Sequence, residues 1–378
     1  MLASRAAGSV EIMSAVTLRQ WLRPDERLDD PAATALLDTL LLRRADQQRD
    51  RVTAVFGDGI DQLAIVRRRN DEPALESWWL PHDPHLPALS RLAEVIGGLL
   101  GRAAVRVADP HLQLVTYKPG QRAVFTVNGD DGQPLWLLKV LTPDRATVVT
   151  SRAKALTNVG VDAAVRAPLL VTDDVDLGAA LFSFIPGSAL KMLPAPRLTA
   201  ALRDSVIAAA GRVHQHTAPT LPHWDVDGYV GRIGQALADA SDVLGDSFSA
   251  MRAFDELTAR LRANAGSGRL IHADLTLRNI VVDDDASVGF IDWDDACIGP
   301  LERDLATLAA AFGGRAAIAD VVSIYRTASD APVDARMIGL YVDSQRLLKL
   351  CRRVVAGDRS PTTMTALHDV ELQLLALG

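Results

Sequence analysis

Residues 270–300 read LIHADLTLRNIVVDDDASVGFIDWDDACIGP: one His, seven Asp and a single Asn set among runs of apolar residues. Within the stretch, His272-Ala273-Asp274 is followed by Asn279 in the spacing H-x-D-x-x-x-x-N, and Asp292 lies thirteen residues beyond the Asn. These types at this spacing suit phosphoryl transfer. One Asp orients and deprotonates the attacking hydroxyl, while an Asn and a second Asp hold magnesium against the phosphates. Magnesium takes hard oxygen ligands and keeps several waters, so one amide and one carboxylate suffice beside a nucleotide. The apolar runs 280–282 and 288–291 predict a hairpin that carries Asn279 and Asp292 to one place. A plain turn network between His272 and Asp274 is the other reading of the same residues. For Asp283, Asp284 and Asp285, three consecutive acids at the hairpin tip, a solvated turn is the better reading.

Such a site needs a scaffold, and the rest of the chain offers one. Its 378 residues suffice for one large or two medium domains, and 48% hydrophobic with 23% charged residues is ordinary for a globular protein. The net charge of −7 gives no electrostatic support to nucleic-acid binding. Cys297 and Cys351 lack metal or redox spacing. No signal-peptide core and no membrane-spanning apolar run is present, so the expectation is a soluble, cytoplasmic protein with neither nucleic-acid nor membrane partners. Residues 14–48 are expected to be helical, with Leu36, Leu37, Leu40 and Leu41 on one face. Short strands follow at RVTAVFG, QLAIVRRR and ESWWLP, then a helix around PALSRLAEVIGGLLG, then strands LQLVTYK, AVFTVNG and LWLLKVL joined by turns. From Pro143 onward the texture is mostly helical, broken by AALFSFIPG and by the Asp-rich stretch. The order predicts an α+β protein with a strand-rich front and a helix-rich back. Lys139 sits among Leu137, Leu138 and Val140. It either flanks a buried strand or reaches phosphate, and the phosphate reading is favoured given the rest of the pattern.

HADLTLRN, FIDWDDACIGP and ERDLATL resemble the aminoglycoside phosphotransferase and choline kinase family, whose fold is similar to that of protein kinases. The resemblance covers roughly residues 110–310, with its strong motifs in 270–306. It implies a bilobal protein-kinase-like fold, with a nucleotide-binding small lobe over 101–185 and a helical large lobe over 186–378. Residues 1–100 fall outside the family core and are read as an N-terminal extension (helix plus short strands) that packs with the small lobe. It implies Asp274 as catalytic base, with Asn279 and Asp292 as metal ligands. Lys139 and the KPGQRA turn around Gly120 would serve the phosphates, and Ser183, Phe184 and Ile185 would meet the adenine edge as a hinge. Asp304 would brace the catalytic loop, and His272 would be structural. The cofactors implied are ATP and Mg2+. One departure stands out: the helix after the lysine strand, PDRATVVTSRAKALTNVG, offers no Glu for Lys139, only Asp144 at its start.

The expected activity is transfer of the γ-phosphate of ATP to a hydroxyl of a small molecule such as an aminoglycoside, sugar or antibiotic. Phosphorylation of Ser or Thr in a peptide or protein is an alternative, and a catalytically weak nucleotide-binding regulatory module is another. Aromatic residues make up 5% of the chain, which disfavours a quaternary-amine cage. Asp225, Asp227, Asp294, Asp295 and Asp343 could line a cationic acceptor site or be surface charge. Trp78, Trp79 and Arg67 to Arg69 read as core and strand edge in preference to a partner surface.

Overall fold

The computed structural model describes residues 42–47, 51–57, 62–68 and 75–375, apart from 106, 108–109, 159, 162–164, 245–250 and 264–267. The chain forms two compact units, Met1–Thr150 with Leu170–Phe184, and Ser151–Leu169 with Ile185–Gly378. Each has its own hydrophobic core.

The first unit carries two antiparallel sheets. Strands β1 (Leu42–Gln47), β2 (Arg51–Gly57), β3 (Gln62–Arg68) and β4 (Leu75–Trp79) form one, in sequence order. After helix α1 (Leu92–Arg102), strands β5 (His111–Lys118), β6 (Arg122–Asn128), β7 (Pro134–Leu141), β8 (Leu170–Asp174) and β9 (Ala179–Ser183) form the other, in the order β5-β6-β7-β9-β8. The helix expected over 14–48 fails at its end: 42–47 is β1, registered Ala45↔Ala54 and Asp46↔Thr53 against β2. LRRADQ has no clear period of its own, and here the neighbouring strand satisfies the backbone. The rest of that stretch, 14–41, lies outside the described residues, as do the side chains of Arg67 and Arg68 and the whole of Arg69. Strand β8 was not expected either. LVTDD is too short and too acidic to read as a strand, and it holds an edge position beside β9.

Strand β7 is central, and its pleat sorts its side chains. Leu138 and Val140 join the core with Ala123, Phe125, Ala179 and Leu181. Lys139 therefore points to the opposite face, beside its register partners Val124 and Ala180. The segment joining β4 to α1 is pinned by Asp83, which is 3% exposed. Its Oδ2 accepts the Gly120 N–H at 2.7 Å and the Tyr117 hydroxyl at 2.9 Å, and its Oδ1 accepts the His85 N–H at 2.9 Å. The Trp78 indole N–H donates to the Tyr117 oxygen at 2.6 Å, so Trp78 is a core residue.

The second unit is helical: α2 (Pro143–Asn158) runs into it, followed by α3 (Ala200–Val213), α4 (Val226–Leu244), α5 (Met251–Ala263), α6 (Glu302–Phe312), α7 (Ile318–Ala328), α8 (Ala335–Val355) and α9 (Pro361–Leu375). Two small antiparallel sheets interrupt the helices. One orders β10 (Ser188–Ala189), β12 (Ile280–Val282) and β13 (Val288–Phe290); the other pairs β11 (Arg269–Ile271) with β14 (Cys297–Gly299). The β12–β13 hairpin is the one expected, registered Ile280↔Phe290. Helix α8 buries Leu347, Leu350, Cys351 and Val354 on one face, so Gln345, Leu348, Lys349 and Arg352 share another. Among the described residues no single helix is long and apolar enough to cross a membrane.

Removing the carboxylate at Asp83→Ala leaves three donors without their acceptor. The substitution should cost about 2–3 kcal/mol, read as a lower urea midpoint for Trp fluorescence, and an unchanged midpoint would show that the pin is dispensable.

Candidate active site

Strand β11 delivers the chain to His272, and the loop that follows is held by one buried carboxylate. Asp304, on the first turn of α6, accepts the His272 N–H at 2.7 Å and the Ala273 N–H at 2.9 Å. It is fully buried. Burial alone would push its carboxyl up, but the hydrogen bond and charge of His214, with His272 and Arg303, hold it below the ordinary carboxylate range. Between these anchors Ala273 adopts a left-handed backbone, φ 66°. That conformation is costly for a residue with a Cβ, and it persists because its N–H is fixed by Asp304 and its C=O accepts from the Arg303 guanidinium. His272 is orienting rather than catalytic: its Nε2–H donates to the Ile291 C=O at 3.0 Å and its Nδ1 accepts the Asp274 N–H at 3.3 Å. Its ring lies 4.5 Å from that of Trp293.

The loop then closes on itself. Thr276 N–H bonds to Asp274 C=O and Asn279 N–H to Thr276 C=O, each at 2.8 Å. The Asn279 amide nitrogen donates to both the backbone oxygen and Oδ2 of Asp274, at 2.9 Å each. Its amide oxygen is thereby turned away from Asp274. Asn279 C=O accepts from Ile291 N–H at 2.8 Å, which places Asp292, also left-handed at φ 63°, next along the chain. Asp274, Asn279 and Asp292 thus gather around one turn and one hairpin. Burial pushes the Asp274 carboxyl above its ordinary value; Asp295 adds to this, while His272, Arg278 and Asn279 oppose it. A carboxylate whose proton affinity is raised is a better general base near neutral pH. Among the described residues no cluster of three acids, histidines or cysteines could hold a metal by itself. The donor set, one amide oxygen and one carboxylate, fits a magnesium ion whose other ligands are phosphate and water.

The remaining sequence-predicted residues lie in other places. Lys139, 6% exposed, has its Nζ 5.4 Å over the Phe182 ring, on the sheet face opposite the core. Asp144 is an exposed residue in the first turn of α2, where a carboxylate complements the positive helix end. Gly120 has φ 66°, and a Cβ there would come within 3.3 Å of the His85 ring. Ser183 ends β9 opposite Trp136, and the Phe184 N–H is taken by the Leu135 C=O at 3.2 Å. Ile185 opens the second unit.

Asp274 lies on a cavity of about 680 Å³ within the second unit, walled by α4, α6 and α8. Of the acids considered for a cationic acceptor, only Asp225 and Asp295 line it. Asp343 is buried and paired in two-pronged fashion with Arg315, and Asp227 bonds Arg262 at 2.8 Å. Cys297 also lines the cavity; burial pushes its thiol up to about 12.

Sequence reasoning missed two contributors. His214 carries no motif in the sequence, yet it is fully buried, with Nε2 3.4 Å from Asp304 and Nδ1 3.2 Å from the Tyr325 hydroxyl. Asp83, which holds the Gly120 turn, sits 37 residues away in sequence. Neither has a local signal, because each works through a partner distant along the chain.

Asp304→Ala would strand two buried backbone N–H groups and should cost about 3 kcal/mol at neutral pH. Because the wild-type carboxyl titrates below its ordinary range, its stabilisation is present above that range and is lost as pH falls through the lowered value. The gap in urea midpoint between the two proteins should therefore narrow toward acid pH; a gap independent of pH would contradict the brace.

Residues 120–338 match the phosphotransferase enzyme family. No curated protein sequence matches the chain. Among solved structures it is similar to the choline kinase LicA from Streptococcus pneumoniae, with TM-score 0.52 and 13% identity over 76% of this chain and 99% of that one. It is also similar to the GDP complex of aminoglycoside 2'-phosphotransferase-IIIa, with TM-score 0.51 and 16% identity over 75% and 98%. A third, a putative aminoglycoside phosphotransferase from Ralstonia eutropha, has TM-score 0.51 and 14% identity over 75% and 95%. At these identities the likeness is one of fold, the protein-kinase-like fold that the sequence motifs imply.

Proposed function

The chain belongs to the phosphotransferase enzyme family, and we propose that it moves the γ-phosphate of ATP to a hydroxyl of a small molecule. The observation that carries this reading is Asp274: a carboxylate of raised proton affinity on a cavity of about 680 Å³, fixed by Asn279 and by a loop that Asp304 holds. The acceptor oxygen forms a bond to the γ-phosphorus, the bond from that phosphorus to the bridging oxygen breaks, and ADP leaves. The hydroxyl proton passes to Asp274. Asn279 and Asp292 would hold magnesium, which supplies charge neutralisation on the phosphates when bound. Lys139 adds a point charge for the phosphates, and its place on a central strand, packed against Phe182, gives it a fixed direction. The cavity's size supports a small-molecule acceptor.

ADP release measured by a coupled assay over a panel of hydroxyl compounds tests the reading. Asp274→Asn should lower kcat by about 10³-fold with ATP affinity nearly unchanged, and turnover at the wild-type rate would remove Asp274 as the base. Lys139→Met should weaken ATP binding and reduce turnover by about tenfold or more, and Lys139→Arg should not restore it, since a planar fork does not replace one ammonium. Asp144→Ala should leave both nearly as they were. A loss with Asp144→Ala as large as that with Lys139→Met, and not additive with it, would make Asp144 the partner of the lysine.

A further inference from the structure

The charge of the cavity runs against that of the chain. The protein carries a net −7, yet among the described residues six arginines and lysines line this cavity against three aspartates. One of the three is Asp274 itself, and another, Asp295, lies 3.9 Å from Arg152, which is already bonded to the Asp294 backbone oxygen. The third, Asp225, accepts the Gly228 N–H at 2.8 Å at the start of α4. Set against these are Arg232, Arg278, Arg303, Lys349 and Arg352. Among the described residues, Arg232, Arg278, Lys349 and Arg352 have no carboxylate within ion-pair distance. Lys349 and Arg352 are exposed and share with Gln345 and Leu348 the face of α8 that lines the cavity. The aromatic rings that could cage a quaternary amine are already covered by cations: the Arg303 guanidinium lies 4.1 Å over Trp224, and that of Arg232 lies 5.8 Å over Tyr229. A cationic acceptor would meet repulsion from several sides, and like charges set together at a binding surface exclude a partner.

We propose that the acceptor is a hydroxyl compound bearing an oxyanion, a phosphate or a carboxylate, which Lys349 and Arg352 of α8 grip while its hydroxyl is presented to Asp274. Guanidinium and ammonium groups together suit that chemistry, the Arg fork meeting two oxygens at once and the Lys a single one. This inference rests on the phosphotransferase reading for the role of Asp274, but the binding of an oxyanion can be tested without turnover.

The test is calorimetric titration of the full chain, saturated with magnesium and a non-hydrolysable ATP analogue so that the nucleotide's phosphate positions are filled. The probes are inorganic phosphate, glucose 6-phosphate, gluconate, glucose and glucosamine. At least one oxyanion sugar should bind about tenfold or more tighter than glucose, with glucosamine weakest; the phosphate and carboxylate probes separate the two sources of charge. The variant Lys349→Ala/Arg352→Ala should bring that oxyanion's Kd close to that of glucose. Because both positions are exposed, folding should be kept, and the milder pair Lys349→Gln/Arg352→Gln, checked by circular dichroism, should show the same loss. Equal or tighter binding of glucose or glucosamine, no oxyanion binding at all, or oxyanion binding unmoved by both double variants overturns the proposal. Failure of the phosphotransferase reading would show separately, as ADP release that Asp274→Asn does not diminish.

Discussion

One buried carboxylate organises the candidate site. Asp304 reaches from the first turn of α6 to the N–H groups of His272 and Ala273, and the whole loop takes its shape from those two bonds. A charge so deeply buried is tolerable only when its oxygens are fully used, and here backbone donors, His214 and the nearby Arg303 use them. Ala273 is left-handed between these two bonds, with its C=O held by the Arg303 guanidinium. Asn279 then ties the far end of the loop to Asp274, and the Ile291 N–H ties the β12–β13 hairpin to Asn279. Strain at Ala273 and Asp292 is concentrated where the chemistry is expected, a usual sign that surrounding structure has been arranged to hold it.

The motif region was the most legible part of the sequence. The H-x-D-x-x-x-x-N spacing predicts a short loop, and the apolar runs on either side of three acids predict a hairpin; Ile280↔Phe290 is the register observed. The strands around Lys139 were equally clear, because the continuous apolar run of β7 suits a central strand buried on both faces. What was not legible has a common physical cause. The β1 strand and the edge strand β8 depend on neighbours that satisfy their backbone, not on any period of their own. His214 and Asp83 act at distances of 90 and 37 residues along the chain, so no local pattern marks them.

The sequence alone left the placement of the acids open for the same reason. The sequence shows several acids in the second half, and each could have lined an acceptor site. In the fold Asp343 is consumed by Arg315 and Asp227 by Arg262, while basic residues from four helices line the cavity. Net charge of a chain says little about the field inside one of its cavities. Here the chain is acidic, while basic residues outnumber acidic ones in the lining of this cavity.

In the proposed reaction Asp274 takes the acceptor's proton with an affinity that burial has raised. The most direct measurement is the pH dependence of kcat/KM for ADP release, which reports the free enzyme's base. Activity should rise with pH along an acid limb centred above the ordinary Asp value of 3.8. A limb at or below that value, or activity that stays level across the carboxylate range, would contradict it.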